Sequence, residues 1–350
     1  MKLMVTGGAG FIGSALIRLA ISQGHRVLNV DKLTYAANLA NLASVEAHPS
    51  YTFEQSDITD RNRMRALLAA FQPDAVLNLA AESHVDRSID GPQPFIGTNI
   101  VGTFQLLEAV RASYRSGELN SQFRFIQVST DEVFGSLGDS GAFDESSPYR
   151  PNSPYSASKA SGDMLVRAWG GTYNLPVITT HCSNNYGPCQ FPEKLIPVVI
   201  EKACRGEAIP VYGDGQNVRD WLYVGDHAEA LLRIARAGIA GETYAIGGEA
   251  ERSNLALVET LCSLLDERFP AKAAHARLIK FVTDRPGHDR RYAIDPSKLK
   301  RTLGWSPRWP FEEGLAKTLD WYLANPDWVQ AVKDRGHTGE RLGLSAEGRS

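Results

Sequence analysis

Residues 2–13 read KLMVTGGAGFIG, an apolar run followed by a turn with glycine at positions 7, 10 and 13. Glycine adopts positive φ angles easily, and its missing side chain lets a pyrophosphate approach backbone N–H groups at the start of a helix. A glycine-rich turn alone is weak evidence, because many such matches are only tight turns. Here the turn lies between a predicted strand and a predicted helix, and that context indicates a dinucleotide-binding site. The expected contacts are Gly7, Gly10, Phe11, Ile12 and Gly13.

Further short apolar runs alternate with amphipathic stretches along the first half of the chain. With the first run at residues 2–6, they predict strands at residues 27–31, 51–55, 75–80, 125–129 and 177–181. This alternation is typical of βαβ units, and six strands suit a doubly wound dinucleotide-binding fold. We therefore predict an α/β protein with a Rossmann-like, doubly wound parallel sheet.

The chain is predicted to divide into two domains and a tail. Residues 1–185 are expected to form the dinucleotide-binding Rossmann domain, to which later segments can return, and residues 186–325 a smaller mixed α/β domain for the substrate. The polar residues 326–350 form a C-terminal tail. The dipeptide Asp214-Gly215 indicates a hairpin, and helical periodicity predicts helices at residues 94–112, 154–172, 225–237, 254–266 and 311–324.

The composition excludes several classes of protein. The chain has 350 residues, of which 43% are hydrophobic, so it is long enough for an enzyme and too apolar for gross disorder. Its formal net charge of -3 provides no broad positive field for a nucleic acid. No apolar run approaches the roughly 18 residues that cross a bilayer, and the first run breaks at Gly7, too early for a signal peptide. Four cysteines without a C-x-x-C pair favour structural thiols in a reducing compartment, so we predict a cytoplasmic protein.

An acidic residue indicates which dinucleotide the site takes. Asp31 ends the second predicted strand, where a carboxylate accepts hydrogen bonds from the adenosine ribose and repels a 2′-phosphate. This position favours NAD over NADP. The alternative is that Asp31 only caps the segment that follows it. Asp57 and Ile58, after the third predicted strand, are placed to contact the adenine.

A tyrosine and a lysine four residues apart indicate proton transfer at this site. On a helix, Tyr155 and Lys159 project from one face. The cation and an oxidised nicotinamide would lower the pKa of the phenol from about 10 toward neutrality, so that it acts as a base on a substrate hydroxyl. Alone, this pattern fits a surface pair equally well. Its place after the glycine loop and the fifth predicted strand favours catalysis.

A hydroxyl and two carboxylates, Thr130-Asp131-Glu132, follow that fifth strand. Ligands of open α/β sheets bind at the carboxyl ends of the strands. Both carboxylates can reach one ligand only if the chain leaves the strand at Thr130, since neighbouring strand residues face opposite sides. Two close carboxyl groups tend to separate in pKa, which gives one acid and one base. The alternative is that they cap the next helix.

Taken together, these motifs resemble the extended short-chain dehydrogenase/reductase superfamily, and the Thr130-Asp131-Glu132 triplet resembles its nucleoside-diphosphate-sugar 4,6-dehydratases. Five other segments carry the same resemblance, which extends over residues 1–325: DKLTY at 31–35, AAESHVD at 80–86, CSNNYGP at 182–188, FPEKLIP at 191–197 and DRPGHD at 284–289. One departure is Cys189, where the family leads us to expect an aromatic residue.

The resemblance implies a mechanism and a substrate, dTDP-glucose. Tyr155, helped by Lys159 and Thr130, would oxidise the sugar C4 hydroxyl as hydride passes to NAD. Glu132 would then remove the C5 proton while protonated Asp131 donates to the departing C6 hydroxyl. Hydride would return to C6 and give a 4-keto-6-deoxy sugar, a precursor of rhamnose and of other deoxysugars alike. Because NAD is regenerated in each cycle, it is expected to stay tightly bound.

The resemblance also assigns binding residues. Further cofactor contacts would come from Lys32, Leu33, Thr34, Leu79, Ala80, Ala81, Ser83, Thr98 and Asn185, besides Tyr155 and Lys159. Substrate contacts would come from Ser83, Thr130, Asn184, Lys194, Leu195, Pro210, Val211, Tyr212, Arg219, Asn254, Asp284, Arg285 and His288.

Three of these residues, Lys194, Arg219 and Arg285, supply the cations that a diphosphate requires. Arg219 is singled out because a cation beside Trp221 in an apolar hairpin needs a partner. No metal is expected, since His288 belongs to no cluster with metal-ligand spacing and fits a hydrogen-bonding role in a loop.

Other functions and the assembly are left open by the residues. Dehydratases that act on UDP- or CDP-sugars share this pattern, and the thymidine assignment rests on the resemblance. An NAD-dependent sugar-nucleotide 4-epimerase would share everything except the use of Asp131 and Glu132, and an NAD-sensing binding protein would need no catalytic residues. By the same resemblance, the helices at 94–112 and 154–172 would pair across a two-fold axis, which predicts a homodimer.

Overall fold

The computed structural model describes residues 1–334 of the chain and contains a central sheet of seven parallel strands. The order of its strands is β10-β6-β5-β4-β1-β2-β3, so the direction of winding reverses between β1 and β4. This order is that of a doubly wound dinucleotide-binding fold with one added strand, as predicted. The strands in the described part are β1 (Lys2–Thr6), β2 (Arg26–Asp31), β3 (Tyr51–Gln55), β4 (Ala75–Asn78), β5 (Arg124–Thr130), β6 (Val177–Cys182), β7 (Asn184–Tyr186), β8 (Ile209–Tyr212), β9 (Val218–Tyr223), β10 (Thr243–Ile246), β11 (Glu251–Ser253) and β12 (Ile279–Val282).

Helices cover both faces of this sheet and build the second part of the molecule. Short 3₁₀ helices at Leu39–Leu42, Asp131–Phe134 and His275–Leu278 accompany them. The α-helices of residues 1–334 are α1 (Phe11–Ser22), α2 (Arg61–Phe71), α3 (Val85–Asp90), α4 (Gln93–Phe95), α5 (Thr103–Arg115), α6 (Pro154–Tyr173), α7 (Leu195–Cys204), α8 (Val224–Ala237), α9 (Asn254–Arg268), α10 (Ser297–Leu303), α11 (Phe311–Ala324) and α12 (Pro326–Asp334).

Two buried clusters sandwich the central sheet. On one face, α1 and α8 pack against the strands through residues such as Leu16 and Leu231. On the other face, α2, α5 and α6 pack through residues such as Leu68, Leu107 and Val166. Strands buried on both faces have continuous apolar sequences, which explains why the runs in the first half of the chain predicted them so closely.

A third cluster forms the core of the second part of the molecule. It joins α7, α9 and α11 to strand residues such as Trp221 and Tyr186. The chain crosses between the two parts repeatedly, because α8, β10 and α10 return to the seven-stranded sheet after β7, β8 and β9 have left it. The sequence did not predict β10, which pairs in parallel with β6 although residues 183–242 lie between the two strands.

The predicted hairpin at Asp214-Gly215 is wrong. The turn exists, since the Gly215 N–H donates to the Tyr212 carbonyl oxygen at 3.1 Å. However, β8 pairs in parallel with β12, whereas β9 pairs with β7 and β11, so the two strands beside the turn belong to different sheets. Local turn chemistry does not determine the partners of a strand.

The segments at residues 93–115 and 326–334 also differ from expectation. The predicted helix at 94–112 contains a π-helical stretch, Ile96–Gly102, between α4 and α5, and such stretches are frequent at functional sites. The first residues of the predicted tail form α12, where the Trp328 Nε1 donates to Asn41 at 2.9 Å. The rest of the tail, residues 335–350, lies outside the described residues. No helix within residues 1–334 is both long enough and apolar enough to cross a membrane.

Candidate active site

A single cavity lies at the carboxyl ends of the central strands, beside the point where the winding reverses. It is lined by the five predicted catalytic residues, Thr130, Asp131, Glu132, Tyr155 and Lys159. The predicted cofactor contacts line the same cavity apart from Leu33: Gly7, Gly10, Phe11, Ile12, Gly13, Asp31, Lys32, Thr34, Asp57, Ile58, Leu79, Ala80, Ala81, Ser83, Thr98 and Asn185. This position agrees with the rule that open α/β sheets bind ligands at a reversal of winding.

The glycine loop is shaped by close backbone contacts. A Cβ at Gly7, where φ is +70°, would lie 2.7 Å from the Ala80 nitrogen, and a Cβ at Gly13 would lie 2.3 Å from the Gly7 carbonyl oxygen. These glycines therefore let the loop fold against β4 and against itself. No side chain caps α1 at Gly10, so the N–H groups of its first turn are available to a ligand in the cavity.

Asp31 has two roles at the end of β2. Its carboxylate lines the cavity and accepts hydrogen bonds from the Ala9 N–H at 3.0 Å and the Leu33 N–H at 2.8 Å. Capping and cofactor binding are thus compatible functions of one side chain. Burial raises the pKa of Asp31, and these two backbone hydrogen bonds oppose the rise. Leu33 is the one predicted cofactor contact that does not line the cavity, because its N–H turns toward Asp31.

Lys32 connects two other side chains that line the cavity. The Lys32 Nζ donates to the Thr98 hydroxyl at 3.0 Å and lies 3.6 Å from the Asp57 carboxylate. Thr98 belongs to the π-helical stretch, so the irregular helix brings a buried hydroxyl to the cavity. The three residues, predicted separately from three distant segments, form one connected group.

The two carboxylates face one cavity because β5 ends at Thr130. The chain turns there into the 3₁₀ helix Asp131–Phe134, and the Thr130 hydroxyl accepts a hydrogen bond from the Glu132 N–H at 3.3 Å. Asp131 and Glu132 therefore no longer alternate as strand residues would. The cap of this turn is the Thr130 hydroxyl and not a carboxylate, so the turn leaves both acidic side chains on the cavity wall.

The tyrosine and lysine are set on one face of α6 by a capping box. The Ser153 hydroxyl accepts from the Ser156 N–H, and the Ser156 side chain reaches back to the Ser153 N–H. Both Tyr155 and Lys159 are buried, and the Lys159 Nζ donates to the Val128 carbonyl oxygen at 2.7 Å. The lysine is thereby fixed to the backbone of β5.

The sequence prediction for the Tyr155 pKa concerned a phenol beside both Lys159 and an oxidised nicotinamide, and the protein alone shows the effect of its own groups. Burial and the nearby Glu132 carboxylate raise the pKa of Tyr155 well above its ordinary value, whereas a hydrogen bond with Thr130 lowers it. Burial lowers the pKa of Lys159, and the Asp163 carboxylate opposes that change. In the protein alone, desolvation therefore outweighs the expected effect of Lys159 on the phenol.

The two carboxyl groups are driven to different extents toward protonation. Burial, followed by the Glu132 carboxylate, raises the pKa of Asp131 well above its ordinary value. Burial also raises the pKa of Glu132, but the cations Arg285 and Lys194 oppose the rise. Asp131 is consequently the group that keeps a proton, and Glu132 is the group that can accept one.

The predicted substrate residues are divided between the cavity wall and the second part of the molecule. Ser83, Asn184 and Lys194 line the cavity, and the Lys194 Nζ donates to the Ser83 carbonyl oxygen at 2.9 Å. Arg219 and Arg285 do not line it, yet both act electrostatically on Glu132. They therefore lie close enough to the carboxylates to extend the site toward β8 and β9.

Arg219 is buried and has partners within the protein. Its guanidinium donates to the carbonyl oxygens of Val218 and Asp289 at 2.7 and 3.0 Å. The guanidinium carbon also lies 4.4 Å from the centre of the Tyr292 ring. The cation therefore has the partners that its apolar surroundings require, although the predicted hairpin does not form.

Several other predicted substrate residues serve different structural roles. The Val211 side chain is buried in the third cluster, whereas Pro210 and Tyr212 face the opposite side of β8 and are half-buried. Since neighbouring strand residues alternate, these three side chains cannot line one pocket together. Leu195 begins α7 and packs against the same cluster.

The remaining predictions concern two loops. Asn254 begins α9, and its N–H donates to the Asn217 carbonyl oxygen at 3.0 Å. The His288 Nδ1 lies 2.6 Å from the Asp284 carboxylate, so this histidine is a hydrogen-bonding partner within its loop. Within residues 1–334, no group of three or more His, Cys, Asp or Glu side chains is arranged to hold a metal ion.

Sequence reasoning missed an ionic group on the wall opposite Tyr155. The Glu193 carboxylate lines the cavity and accepts hydrogen bonds from the Tyr35 hydroxyl at 3.2 Å and the Arg87 Nε at 3.0 Å. Its only signal in the sequence was its place beside Lys194 in a segment that carried the family resemblance. Cys189, the departure from the family pattern, lies nearby with φ of +67° and is buried.

The doubly wound sheet, the glycine loop and the tyrosine–lysine pair define an extended short-chain dehydrogenase/reductase. Residues 4–318 match the model of the family described as GDP-mannose 4,6 dehydratase. A dTDP-glucose 4,6-dehydratase of Xanthomonas campestris is 57% identical over 346 residues, which cover 98% of this chain and 99% of that protein. The chain therefore belongs to the sugar-nucleotide 4,6-dehydratases and, among them, to the dTDP-glucose 4,6-dehydratase family.

Solved structures agree with this assignment. A dTDP-glucose 4,6-dehydratase double mutant from Streptomyces venezuelae, solved with NAD and a second ligand, is 43% identical with a TM-score of 0.88, covering 95% of this chain and 100% of that one. A UDP-glucose 4-epimerase from Thermotoga maritima, solved with UDP-glucose, is 30% identical with a TM-score of 0.82, covering 93% and 100%. The fold is thus shared with epimerases, and the sequence is more similar to the dehydratase.

Replacing Asp131 with asparagine is expected to alter how stability depends on pH. Its folded-state pKa lies above the unfolded value of 3.8, so folding takes up protons between the two. The stabilisation that Asp131 gives the wild type is fully present below the pKa of the unfolded state. It is lost as the pH rises through the pKa of the folded state. The variant should therefore gain stability relative to the wild type as the pH rises, by about 1.4 kcal/mol for each unit of pKa elevation.

Urea unfolding from about pH 4 to about pH 8 measures this difference. The control is Asp139→Asn, the same change at an exposed loop position, and its difference from the wild type should not vary with pH. A constant difference for Asp131→Asn as well would show that Asp131 is ionised in the folded protein.

Proposed function

We propose that this protein converts dTDP-glucose to dTDP-4-keto-6-deoxyglucose, with NAD held in the cavity. The observation that carries the proposal is that buried Asp131 and half-buried Glu132 line the same cavity as Tyr155, Lys159 and the glycine loop. An enzyme that only oxidises an alcohol needs neither carboxylate. Removing water from a sugar requires one group to take a proton and another to give one.

The residues present fit NAD. The uncapped start of α1 would hold the pyrophosphate, and the Asp31 carboxylate would accept hydrogen bonds from the adenosine ribose. Lys32 and Asp57 lie where the adenosine end would rest. When bound, NAD takes a hydride from the sugar C4 and later returns it to C6.

Proton transfer at C4 is assigned to Tyr155. The phenol hydrogen-bonds Thr130, and Lys159 is anchored to β5, so the three side chains would surround the C4 hydroxyl. Because burial raises the Tyr155 pKa, the phenolate is favoured only when a positive charge is present next to the phenol. The oxidised nicotinamide supplies such a charge, and this would couple proton removal to occupancy of the cofactor site.

The elimination step is assigned to the two carboxyl groups. Oxidation of C4 makes the C5 proton acidic, and Glu132, the carboxyl group whose pKa rise is opposed by the cations Arg285 and Lys194, would remove it. Asp131, which keeps its proton, would donate to the departing C6 hydroxyl. Water leaves, and Glu132 then returns its proton to C5. These steps leave Asp131 ionised and Tyr155 with the proton of the C4 hydroxyl, so one proton must pass from the phenol to Asp131, directly or through solvent, before the next turnover.

Substrate binding is assigned to the second part of the chain. Lys194, Arg219 and Arg285 would bind the diphosphate, and Ser83 and Asn184 would contact the sugar. We assign residues 1–185, with the returning segments, to NAD and residues 186–325 to the sugar nucleotide. The free, buried or half-buried cysteines are consistent with a cytoplasmic location. The product would supply rhamnose synthesis or that of another deoxysugar.

The protein is further proposed to be a homodimer. The helical segment at 93–115 and α6 expose apolar side chains to solvent, namely Ile96, Val101, Met164 and Tyr173. A solvent-exposed apolar surface on two packed helices is typical of an interface. A second copy of the chain placed on this surface would complete a four-helix bundle.

Incubation with sugar nucleotides tests the proposed reaction. Purified protein is given dTDP-glucose or UDP-glucose without added NAD, and product mass is followed. We expect the loss of one water from dTDP-glucose and none from UDP-glucose. Added NAD should not be needed, because the cofactor is expected to stay bound during purification. Loss from UDP-glucose instead would make this a UDP-sugar dehydratase, and isomerisation without loss of mass would make it an epimerase. If neither product nor reduced nicotinamide forms, the protein binds NAD without catalysing a reaction.

Replacing Glu132 with glutamine should separate oxidation from elimination. The amide cannot accept the C5 proton, so reduced nicotinamide should accumulate in a single turnover while product formation falls at least about 100-fold. Absorbance of the reduced nicotinamide and product mass are measured together. Glu313→Gln, the same change at an exposed position on α11, is the control. Undiminished turnover in Glu132→Gln would exclude Glu132 as the base.

Replacing Met164 with glutamate should split the dimer. A charge at the centre of the proposed interface would be desolvated without a partner, and the mass from light scattering should fall from that of two chains to that of one. Ile239→Glu, at an apolar position that is also exposed but lies outside both helices, should keep the dimer mass. A single-chain mass for the wild type would refute the dimer.

A further inference from the structure

The short helix α3 contacts three different walls of the site through three consecutive residues. Asp86 faces the second part of the molecule, and Arg87 donates to Glu193. The Ser88 hydroxyl accepts a hydrogen bond from the Tyr155 N–H at 3.2 Å. Asp86 belongs to the segment AAESHVD at 80–86, which carries the family resemblance, and it takes no part in the proposed chemical steps.

Asp86 joins two of the proposed substrate residues. Its Oδ1 lies 2.9 Å from the Nη1 of Arg285, and its Oδ2 accepts a hydrogen bond from the Tyr212 hydroxyl at 3.2 Å. Both contacts are shielded from solvent, since Asp86 is only 6% exposed. One carboxylate of the dinucleotide-binding part thus fixes two side chains that arrive on separate segments of the second part.

The contact leaves a defined part of Arg285 available. Nη1 is taken by Asp86, whereas Nε, on the opposite edge with Nη2, is buried and has no hydrogen-bond partner among the described residues. An unpaired buried N–H group is costly unless a ligand satisfies it. The Nε–Nη2 edge of a guanidinium matches two oxygens of a phosphate.

We propose that Asp86 is a positioning residue that directs the Nε–Nη2 edge of Arg285 at the diphosphate of the sugar nucleotide. The proposal rests on the proposed function, in which Arg285 binds that diphosphate. Asp86 holds Nη1 and the Tyr212 hydroxyl, so the guanidinium is already oriented before the substrate arrives. Preorganisation of this kind increases affinity because the side chain loses less freedom on binding.

Asp86→Asn provides the test. An amide has one acceptor oxygen where two donors, Arg285 and Tyr212, converge, and it carries no charge. We expect KM for dTDP-glucose to rise at least about tenfold, with kcat changed less than about threefold. The dissociation constant of dTDP, measured by calorimetry on the NAD-containing enzyme, should rise by the same factor.

A double-mutant cycle with Arg285→Ala distinguishes positioning from a structural role. If Asp86 acts through Arg285, then Asp86→Asn should have no further effect on KM once Arg285 is alanine. An equal rise of KM in both backgrounds would refute the proposal, and so would an unchanged KM in the single variant. Asp139→Asn is the matched control and should leave KM unchanged.

The same measurements separate this inference from the proposed function. If Arg285→Ala alone leaves KM and the dTDP dissociation constant unchanged, Arg285 does not bind the diphosphate and the assigned binding mode fails. If Arg285→Ala weakens binding while Asp86→Asn does not, only the positioning role fails. Tyr212→Phe, which removes one donor and leaves the ion pair, should raise KM less than Asp86→Asn.

Discussion

The end of β5 at Thr130 is the constraint on which the site depends. Because the strand stops there and its last hydroxyl accepts the Glu132 N–H, two consecutive acidic side chains turn into one buried space. Lys159 is tied to the same strand by its hydrogen bond to Val128, so the position of α6 follows that of β5. A strand longer by one residue would direct one carboxylate to the opposite face of the sheet. The division into an acid and a base depends on this turn and on Arg285 and Lys194, which act on Glu132, whereas Arg219 acts on both carboxyl groups.

Much of the first half of the molecule could be predicted from its sequence. Strands buried on both faces need continuous apolar runs. All six predicted strands start within one residue of the strand that the structure contains, and β4 ends at Asn78 instead of at residue 80. The glycine loop was identifiable because its spacing meets a backbone requirement at Gly7 and Gly13. Tyr155 and Lys159 were identifiable because a helix repeats every four residues or so. In each case, the necessary information lies within a short stretch of chain.

What could not be predicted depends on contacts between distant segments. The turn at Asp214-Gly215 has the local chemistry of a hairpin, yet β8 pairs with residues 279–282, far along the chain. The pKa of Tyr155 was predicted to fall because of Lys159 and an oxidised nicotinamide, whereas the burial that raises it in the protein alone is a property of the whole fold. Asp86 was overlooked for the same reason, since Arg285, its partner, is separated from it by most of the sequence. In each case, residues that are distant in the sequence determine the role of the side chain in the folded protein, and a local sequence pattern does not include them.

The repeated crossing of the chain between the two parts restricts how such a protein can change. Since α8, β10 and α10 return to the central sheet after the second part has begun, neither part is a continuous segment that recombination could exchange. A new sugar or base preference would have to arise from point substitutions and loop changes in place. Limited proteolysis at a loop in residues 205–217 would likewise leave two fragments that each contain pieces of both parts. Fragments of this kind are expected to stay associated, because each lacks part of the other's core.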